Sequence, residues 1–243
     1  HERAMLVMFF CAVGAVWAFA EIADEVFENE TRTFDETILL SMRSATDPAD
    51  PLGPGWLEEF GRDMTALGGF GVLTLLSLAV IGYLLLEGRR RTSLLVLVCV
   101  GGGIVLSLLL KGVFERPRPE LVPHGSIVYT TRFPSGHSMM SAVVYLTLAA
   151  LLARIERRKR IKAYLMTVAV VITLLVGVSR VYLGVHWPTD VLAGWTAGAA
   201  WALSCWMVAY WLQQRGRMDS EMQERTDDSP ALPSVSERHV DPP

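Results

Sequence analysis

The chain has 243 residues, of which 51% are hydrophobic and 19% are charged, and its formal net charge is −3. Nucleic-acid binding calls for a basic surface, so we expect no nucleic-acid partner. The charges are bunched between long uncharged stretches, which excludes an ordinary soluble globule. The three cysteines lie inside those stretches without metal-ligand spacing, and we therefore expect neither a zinc site nor a disulfide framework.

Six segments of 17 to 24 residues contain no Asp, Glu, Lys or Arg. They are residues 4–20, 64–86, 92–110, 133–153, 163–179 and 191–214. A helix of about 20 residues crosses the hydrocarbon core of a bilayer, and no segment alternates as a barrel strand does. Six buried helices of a large soluble protein would need amphipathic helices to cover them, and the chain has none to spare. We predict an all-α integral membrane bundle of six transmembrane helices within residues 1–214.

Basic residues in the short connections predict how the bundle is oriented. Residues 87–91 read EGRRR, and residues 154–162 carry six basic residues against one acid. Residues 21–63 carry twelve acids and three basic residues. Because cytoplasmic loops are enriched in Lys and Arg, we predict that both termini are cytoplasmic and that residues 21–63 form an outer-side loop. The polar segment 215–243 is then a cytoplasmic tail, which its composition predicts to be disordered.

Two apolar stripes with four-residue spacing predict short amphipathic helices inside the outer-side loop. They are Phe34, Ile38 and Met42 in the first helix, and Trp56, Phe60 and Met64 in the second. A Pro- and Gly-containing run at residues 47–54 separates them. Two arrangements remain open, since such helices either lie on the outer membrane surface or pack over the bundle.

Three outer-side segments concentrate polar residues at the ends of predicted spans. Residues 111–119 leave the third span, residues 134–138 enter the fourth, and residues 179–190 join the fifth to the sixth. Each segment lies within a turn or two of the same membrane face, so their side chains can meet in one pocket. Ionisable groups at this depth are costly and indicate function.

Cationic side chains and the backbone amides at a helix start, both present in these segments, are suited to binding a phosphate dianion. Three side chains are cationic and match the oxygens of a phosphate group. These cations are Lys111, Arg118 and Arg180. Ser135 is a good helix N-cap, and the amides of Gly136 and His137 would then point at an anion at the positive end of that helix.

A histidine–carboxylate pair supplies the reacting groups. His186 and Asp190 are four residues apart at the start of the sixth helix, so they share one face and the carboxylate can orient the imidazole. His137 enters the pocket from another helix. We interpret His186 as the nucleophile that forms a phosphohistidine, Asp190 as the group that fixes its tautomer, and His137 as the acid that protonates the leaving alcohol. We expect no metal or other cofactor, because the cations do the electrostatic work and would repel a metal dication.

The same segments resemble the signature of the type-2 phosphatidic acid phosphatase superfamily, whose pattern is K-x6-RP, PSGH and SR-x5-H-x3-D. Lys111 and Arg118-Pro119 fit the first block, residues 134–137 the second, and residues 179–190 the third. Arg116-Pro117 also precedes this site, and only the six-residue spacing selects Arg118.

The resemblance implies a membrane-embedded lipid phosphatase with its nucleophile at His186, its charge partner at Asp190 and its acid at His137. It implies phosphate contacts at Lys111, Arg118, Ser135, Gly136 and Arg180. We therefore expect hydrolysis of a lipid phosphate or pyrophosphate at the outer leaflet of a bacterial cell membrane, on the periplasmic or extracellular side. Candidate substrates are phosphatidic acid, phosphatidylglycerol phosphate and undecaprenyl pyrophosphate. The alternative is a non-catalytic protein that binds or transports phospholipid headgroups.

Overall fold

A computed structural model of the protein describes residues 2–114 and 133–227, without the side chains of residues 2–4, 213 and 215–227. The chain divides into two compact units, His1–Met207 and Val208–Pro243. The second unit contains the C-terminal part of the last helix, in which Gln214 Nε2 donates a hydrogen bond of 2.7 Å to Tyr210 Oη. All site residues considered below belong to the first unit.

Helices make up the regular secondary structure of the described residues. They are α1 (Glu2–Phe27), α2 (Arg32–Ser41), α3 (Gly55–Leu67), α4 (Phe70–Leu86), α5 (Arg90–Val113), α6 (Gly136–Ile155), α7 (Lys159–Tyr182) and α8 (Pro188–Asp227). Among the described residues, five helices are long and apolar enough to span a membrane, and α3 with α4 forms a sixth span if this bent pair counts as one. The structure therefore confirms the predicted all-α membrane bundle, with short helices α2 and α3 in the first outer loop.

The second predicted span, residues 64–86, is divided between two helices. The axes of α3 and α4 differ in direction by 46°. Gly68 ends α3, and Gly69 has an extended backbone with φ −68° and ψ 144° before α4 begins. The lack of charged residues predicted one continuous span, but Gly68 and Gly69 break the helix inside this segment.

The last helix extends beyond its predicted end at residue 214. The sequence predicts disorder from residue 215, whereas α8 continues to Asp227. Residues 215–227 contain no proline, and extending an existing helix costs far less than nucleating a new one. A polar composition is therefore compatible with helix here. The rest of the predicted tail, residues 228–243, lies outside the described residues.

Helix α6 is the most enclosed of the candidate spans, with contacts to α4, α5 and α7. Its approach to α8 depends on two glycines. A Cβ atom placed on Gly194 would lie 2.7 Å from the carbonyl oxygen of Ser135, and one on Gly198 would collide with the carbonyl oxygen of Met139. Small residues allow this close backbone contact between membrane helices. The first turn of α6 therefore lies directly against α8.

The two short helices of the outer loop pack over the bundle. Leu39 of α2 is fully buried and contacts Val181 of α7 and Val191 of α8. Helix α3 packs along α7. The predicted apolar stripes are only partly buried. Ile38 and Met42 pack against the Leu39 cluster, whereas Phe34 is 51% exposed and Trp56 is 68% exposed. Of the two arrangements that the sequence left open, packing over the bundle is therefore the one observed.

Candidate active site

The loop that carries His186 begins where α7 ends. Gly184 has a φ of +71°, which glycine adopts without strain. Its N–H donates to the carbonyl of Val181 at 2.9 Å, and the N–H of Val185 donates to the carbonyl of Arg180 at 3.1 Å. These two bonds form a Schellman motif, which ends the helix and reverses the chain. Residues 183–187 then lead directly into α8.

His186 and Asp190 form a buried pair at the start of α8. The distance from His186 Nδ1 to Asp190 Oδ2 is 3.2 Å, and the Trp187 N–H donates to the same oxygen at 3.1 Å. His186 is 7% exposed and Asp190 is 1% exposed. A carboxylate on Nδ1 fixes the imidazole tautomer that leaves the lone pair of Nε2 available. This arrangement suits a nucleophilic histidine.

Burial determines the protonation of His186. It lowers the pKa of His186 below the ordinary value of 6.5, and the cations Arg180 and Lys111 act in the same direction. The hydrogen bond and the negative charge of Asp190 oppose this change. Because the pKa lies below 6.5, the imidazole is neutral at pH 7 and Nε2 can attack phosphorus.

Ser135 begins α6 and connects it to α8. Its side-chain oxygen accepts from the Ser138 N–H at 3.5 Å and from the Ser138 hydroxyl at 3.0 Å. The backbone N–H of Ser135 donates to the carbonyl of Asp190 at 2.9 Å. The N-cap predicted from the sequence is thus present, and a direct hydrogen bond ties the helix start to the residue that pairs with His186.

Lys111 reaches the same helix start from the end of α5. A Cβ atom placed on Gly136 would lie 2.8 Å from Lys111 Nζ and 3.8 Å from Ser107 Oγ. The missing side chain of Gly136 therefore leaves the space that the ammonium group occupies. A cation beside the N-terminal amides of a helix makes a strong anion site.

The two histidines and the two described cations converge at one end of the bundle. His137 interacts electrostatically with Arg180, His186 and Lys111, and Lys111 interacts with Arg180. Lys111 lies in the last turn of α5, His137 in the first turn of α6 and Arg180 in the last turn of α7, and His186 precedes α8. The third predicted cation, Arg118, lies outside the described residues, and so does the rest of the first signature block after Phe114.

Sequence reasoning missed a contribution from the bend between α3 and α4. Arg180 Nη1 donates to Thr65 Oγ1 at 3.0 Å. A Cβ atom placed on Gly68 would lie 3.3 Å from His137 Cβ. The bend therefore contacts both a phosphate-binding candidate and the candidate acid. Thr65 and the glycine pair Gly68-Gly69, inside an otherwise apolar span, were the features of the sequence that could have indicated this contribution.

Asp35 and Arg43 of the outer loop were also missed. Asp35 Oδ1 accepts from the Thr189 N–H at 2.9 Å. Arg43 Nη2 donates to the carbonyl of Tyr182 at 2.7 Å. Both side chains are buried, at the two ends of the loop that carries His186. Their charges, within and just after a short amphipathic helix, were visible in the sequence, but their distant partners were not.

The assembled groups can bind and attack a phosphate. Cations and helix amides neutralise phosphate oxygens, a neutral imidazole is available as nucleophile, and a second imidazole lies nearby to transfer a proton. Within the described residues, no group of three or more His, Cys, Asp or Glu side chains is arranged to hold a metal ion. The arrangement therefore has the parts of a phosphoryl-transfer site built on histidine.

Comparison with known proteins agrees with this chemistry. Residues 90–215 match the PAP2 superfamily. The chain is 34% identical to phosphatidylglycerophosphatase B of Bacillus subtilis over 183 aligned residues. This alignment covers 74% of this chain and 85% of that protein. It is 26% identical over 121 residues to an undecaprenyl-diphosphatase of Sulfolobus acidocaldarius, covering 48% of this chain and 54% of that protein.

A solved structure shows the same architecture. The transmembrane PAP2-type phosphatidylglycerolphosphate phosphatase of Bacillus subtilis superposes with a TM-score of 0.71 at 29% identity. The superposition covers 85% of this chain and 97% of that one. Family match, relative and fold therefore agree with one another. The chain is therefore a membrane-embedded phosphatase of the PAP2 superfamily.

Proposed function

We propose that this protein hydrolyses a lipid phosphate or pyrophosphate at the outer face of the membrane, through a phosphohistidine intermediate and without a metal ion. The observation that carries the proposal is the buried pair of His186 and Asp190 facing the cations Lys111 and Arg180. Three cations alone would suffice to bind a headgroup. An imidazole oriented by a carboxylate adds a nucleophile, for which binding has no need.

The first step transfers the phosphoryl group to the enzyme. Nε2 of His186 attacks phosphorus, the new N–P bond forms, and the bond from phosphorus to the leaving oxygen of the lipid breaks. His137 donates a proton to that oxygen, so a lipid alcohol, or a lipid monophosphate from a pyrophosphate, departs. Lys111, Arg118 and Arg180 and the amides at the start of α6 stabilise the charge on the phosphoryl oxygens.

The second step releases phosphate. His137, now neutral, takes a proton from a water molecule that attacks phosphorus, and the N–P bond breaks. Inorganic phosphate leaves and His186 returns to its neutral form. Asp190 keeps the imidazole in the required tautomer throughout and stabilises the positive charge that develops on the ring.

The relatives narrow the substrate class. One relative, of which this chain covers 85%, is named phosphatidylglycerophosphatase B, and another is named undecaprenyl-diphosphatase. We therefore infer that phosphatidylglycerol phosphate is the first substrate to test, with phosphatidic acid and undecaprenyl pyrophosphate beside it. A site at the ends of membrane helices suits such lipids, because the tail can stay in the bilayer while the headgroup reaches His186.

The orientation of the bundle supports action at the outer leaflet. The site residues lie at the end of α5 and α7 and at the start of α6 and α8. The basic residues 87–91 and 154–162 lie at the opposite ends of α5, α6 and α7. Since cytoplasmic loops are the basic ones, the site faces the periplasm or the cell exterior and both termini are cytoplasmic.

The deciding experiment is phosphate release by detergent-purified protein in the presence of EDTA, on the three lipids above. We expect His186→Ala to abolish release and His239→Ala, which changes a histidine outside the signature segments, to leave it unchanged. With a ³²P-labelled substrate, quenched wild-type protein should carry an acid-labile, alkali-stable label that His186→Ala lacks.

The result also separates catalysis from binding. Release that persists in folded His186→Ala protein would disprove the phosphohistidine mechanism. A requirement for metal would contradict the role given to the cations. If folded wild-type protein binds the lipids but releases no phosphate from any of them, the headgroup-binding alternative replaces the proposal.

A further inference from the structure

Three residues of the outer loop, spaced four apart, meet the loop that carries His186. Asp35 and Leu39 are the buried residues of α2, and Arg43, just beyond that helix, is 4% exposed. Residues four apart lie on one side of a helix. Asp35 and Leu39 therefore lie on one side of α2, and Arg43 is buried just beyond the helix. We call these three residues the outer clamp.

Asp35 caps the start of α8. Trp187, which precedes this helix, has no side-chain oxygen with which to cap its first amides. Asp35 supplies the acceptor instead, since its Oδ1 accepts from the Thr189 N–H at 2.9 Å and its Oδ2 accepts from the Thr189 hydroxyl at 2.6 Å. A carboxylate is also favoured at the positive end of a helix. Thr189 directly precedes Asp190, so this cap holds the turn that orients His186.

Arg43 caps the end of α7. The amides of residues 183–185 satisfy the carbonyls of Ser179, Arg180 and Val181. The remaining carbonyl of that turn, on Tyr182, accepts from Arg43 Nη2 at 2.7 Å. A cation is favoured at the negative end of a helix. Arg43 thus completes the hydrogen bonding of the turn from which the His186 loop departs.

Leu39, between Asp35 and Arg43 in the sequence, packs against α7 and α8. Its side chain is fully buried and belongs to one cluster with Val181 near the end of α7 and Val191 near the start of α8. The outer clamp therefore fixes both ends of residues 183–187 relative to each other. A loop held at both ends has little freedom to move the imidazole that it carries.

We propose that Asp35 and Arg43 are positioning residues for the nucleophile, acting through Thr189 and Tyr182 on the loop that carries His186. The role rests on the proposed function, because it concerns the direction in which Nε2 of His186 meets phosphorus. A small displacement of a reacting group is enough to cost a large factor in rate. Neither residue belongs to the phosphate contacts, so the effect falls on turnover and not on substrate binding.

The test compares charge-neutral variants with matched controls on the same segment. We expect Asp35→Asn and Arg43→Gln to lower kcat roughly tenfold to a hundredfold, with KM changed by less than about threefold. Glu36→Gln and Arg32→Gln neutralise an exposed ion pair on the same helix and should leave both constants unchanged. Thr189→Val removes the hydroxyl that donates to Asp35 Oδ2 but keeps the N–H that donates to Oδ1, so it should lower kcat less than Asp35→Asn does. The loss in the double variant should be smaller than the product of the two single losses, because both changes affect the same pair of residues.

A second measurement does not depend on turnover. In ¹⁵N-histidine NMR spectra, Asp35→Asn and Arg43→Gln should shift or broaden the ring signals of His186, identified by their loss in His186→Ala, while the controls should not. The conservative variants Arg43→Lys and Thr189→Ser should restore kcat at least in part.

The outcomes separate this proposal from the proposed function. Unchanged kcat and unchanged His186 signals in both clamp variants would overturn it. A lower yield of folded protein with normal kcat per folded molecule would also overturn it, by leaving only a structural role. If wild-type protein releases no phosphate, the proposed function fails, and the NMR comparison still decides whether the outer clamp positions His186.

Discussion

At the scale of single residues, the pKa of His186 is set mainly by its burial, and its pairing with Asp190 opposes that effect. Burial and the cations Arg180 and Lys111 lower the pKa of His186, and Asp190 raises it. The nucleophile must be neutral, so activity is present above this pKa and is lost as the pH falls through it. Because the pKa lies below its ordinary value of 6.5, the acid limb of the pH profile should lie below pH 6.5.

This gives a pH prediction for Asp190→Asn. Removing the carboxylate removes the effect that raises the pKa, so the acid limb of kcat/KM should move to lower pH, while the maximal rate falls because the tautomer is no longer fixed. The measurement is kcat/KM against pH for both proteins on one substrate, whose own ionisation is the same in both. A limb that moves to higher pH would contradict the assigned interactions.

Arg180 provides a second prediction at this scale. Arginine offers two parallel donors to a phosphate, whereas the ammonium of lysine does not. Losing one charge-assisted hydrogen bond costs about 1.5–3 kcal/mol, so Arg180→Lys should lower kcat/KM roughly tenfold to a hundredfold. The check is steady-state kinetics beside a thermal unfolding curve, which should change little.

Thr65 tests how the guanidinium of Arg180 is held. Thr65→Val removes the oxygen that accepts from Arg180 Nη1 and should lower kcat/KM less than Arg180→Lys does. Thr65→Ser keeps that oxygen and serves as the control, with activity close to wild type. Equal kinetics for Thr65→Val and wild type would show that this hydrogen bond does not position Arg180.

At the scale of elements, the contact of α6 with α8 is the one on which the site depends most. A Cβ atom on Gly194 would lie 2.7 Å from the Ser135 carbonyl oxygen and 2.9 Å from Ser138 Cβ. The first of these atoms belongs to the backbone, so the two helices must separate to make room. That movement would stretch the bond between the Ser135 N–H and the Asp190 carbonyl, which joins the helix start proposed to bind the anion to the proposed nucleophile pair.

Gly194→Ala should therefore reduce both stability and activity. We expect a loss of about 1–3 kcal/mol in the free energy of unfolding, as is typical when a methyl group is forced into a packed contact, and a large fall in kcat. Unfolding in detergent and phosphate release measure the two effects. Gly101→Ala is the matched control, because nothing lies within 4 Å of a Cβ at that position. Equal behaviour of the two variants would refute the packing argument.

At the scale of the whole molecule, the distribution of charge predicts which end of the bundle faces the cytoplasm. In a Cys11→Ser background the other cysteines, Cys99 and Cys205, are buried. Ala45→Cys in the outer loop should then react with a membrane-impermeant maleimide on intact cells. Glu87→Cys, at the basic end, should react only after the cells are permeabilised. The reverse pattern would place the site on the cytoplasmic side.

Features that depend on local sequence were predictable. The apolar stretches predicted the membrane helices because a span requires a long uncharged run. The four-residue spacing of His186 and Asp190 predicted that they pair, although His186 lies in the loop before α8 and not on a face of that helix. Ser135 was recognisable as an N-cap for the same reason, since its partner Ser138 is only three residues away. In both pairs the interacting side chains lie within four residues of each other along the chain.

Only the tertiary structure decided which distant side chains complete the site. Asp35 is 154 residues from Thr189, Arg43 is 139 residues from Tyr182, and Thr65 is 115 residues from Arg180. Periodicity reports which face of a helix is apolar, but it carries no information on the element that covers that face. Sequence alone therefore determined the membrane bundle and its family signature, and it predicted the reacting groups. Packing decided that the outer loop closes over the ends of α7 and α8, because that contact exists only once the helices have assembled.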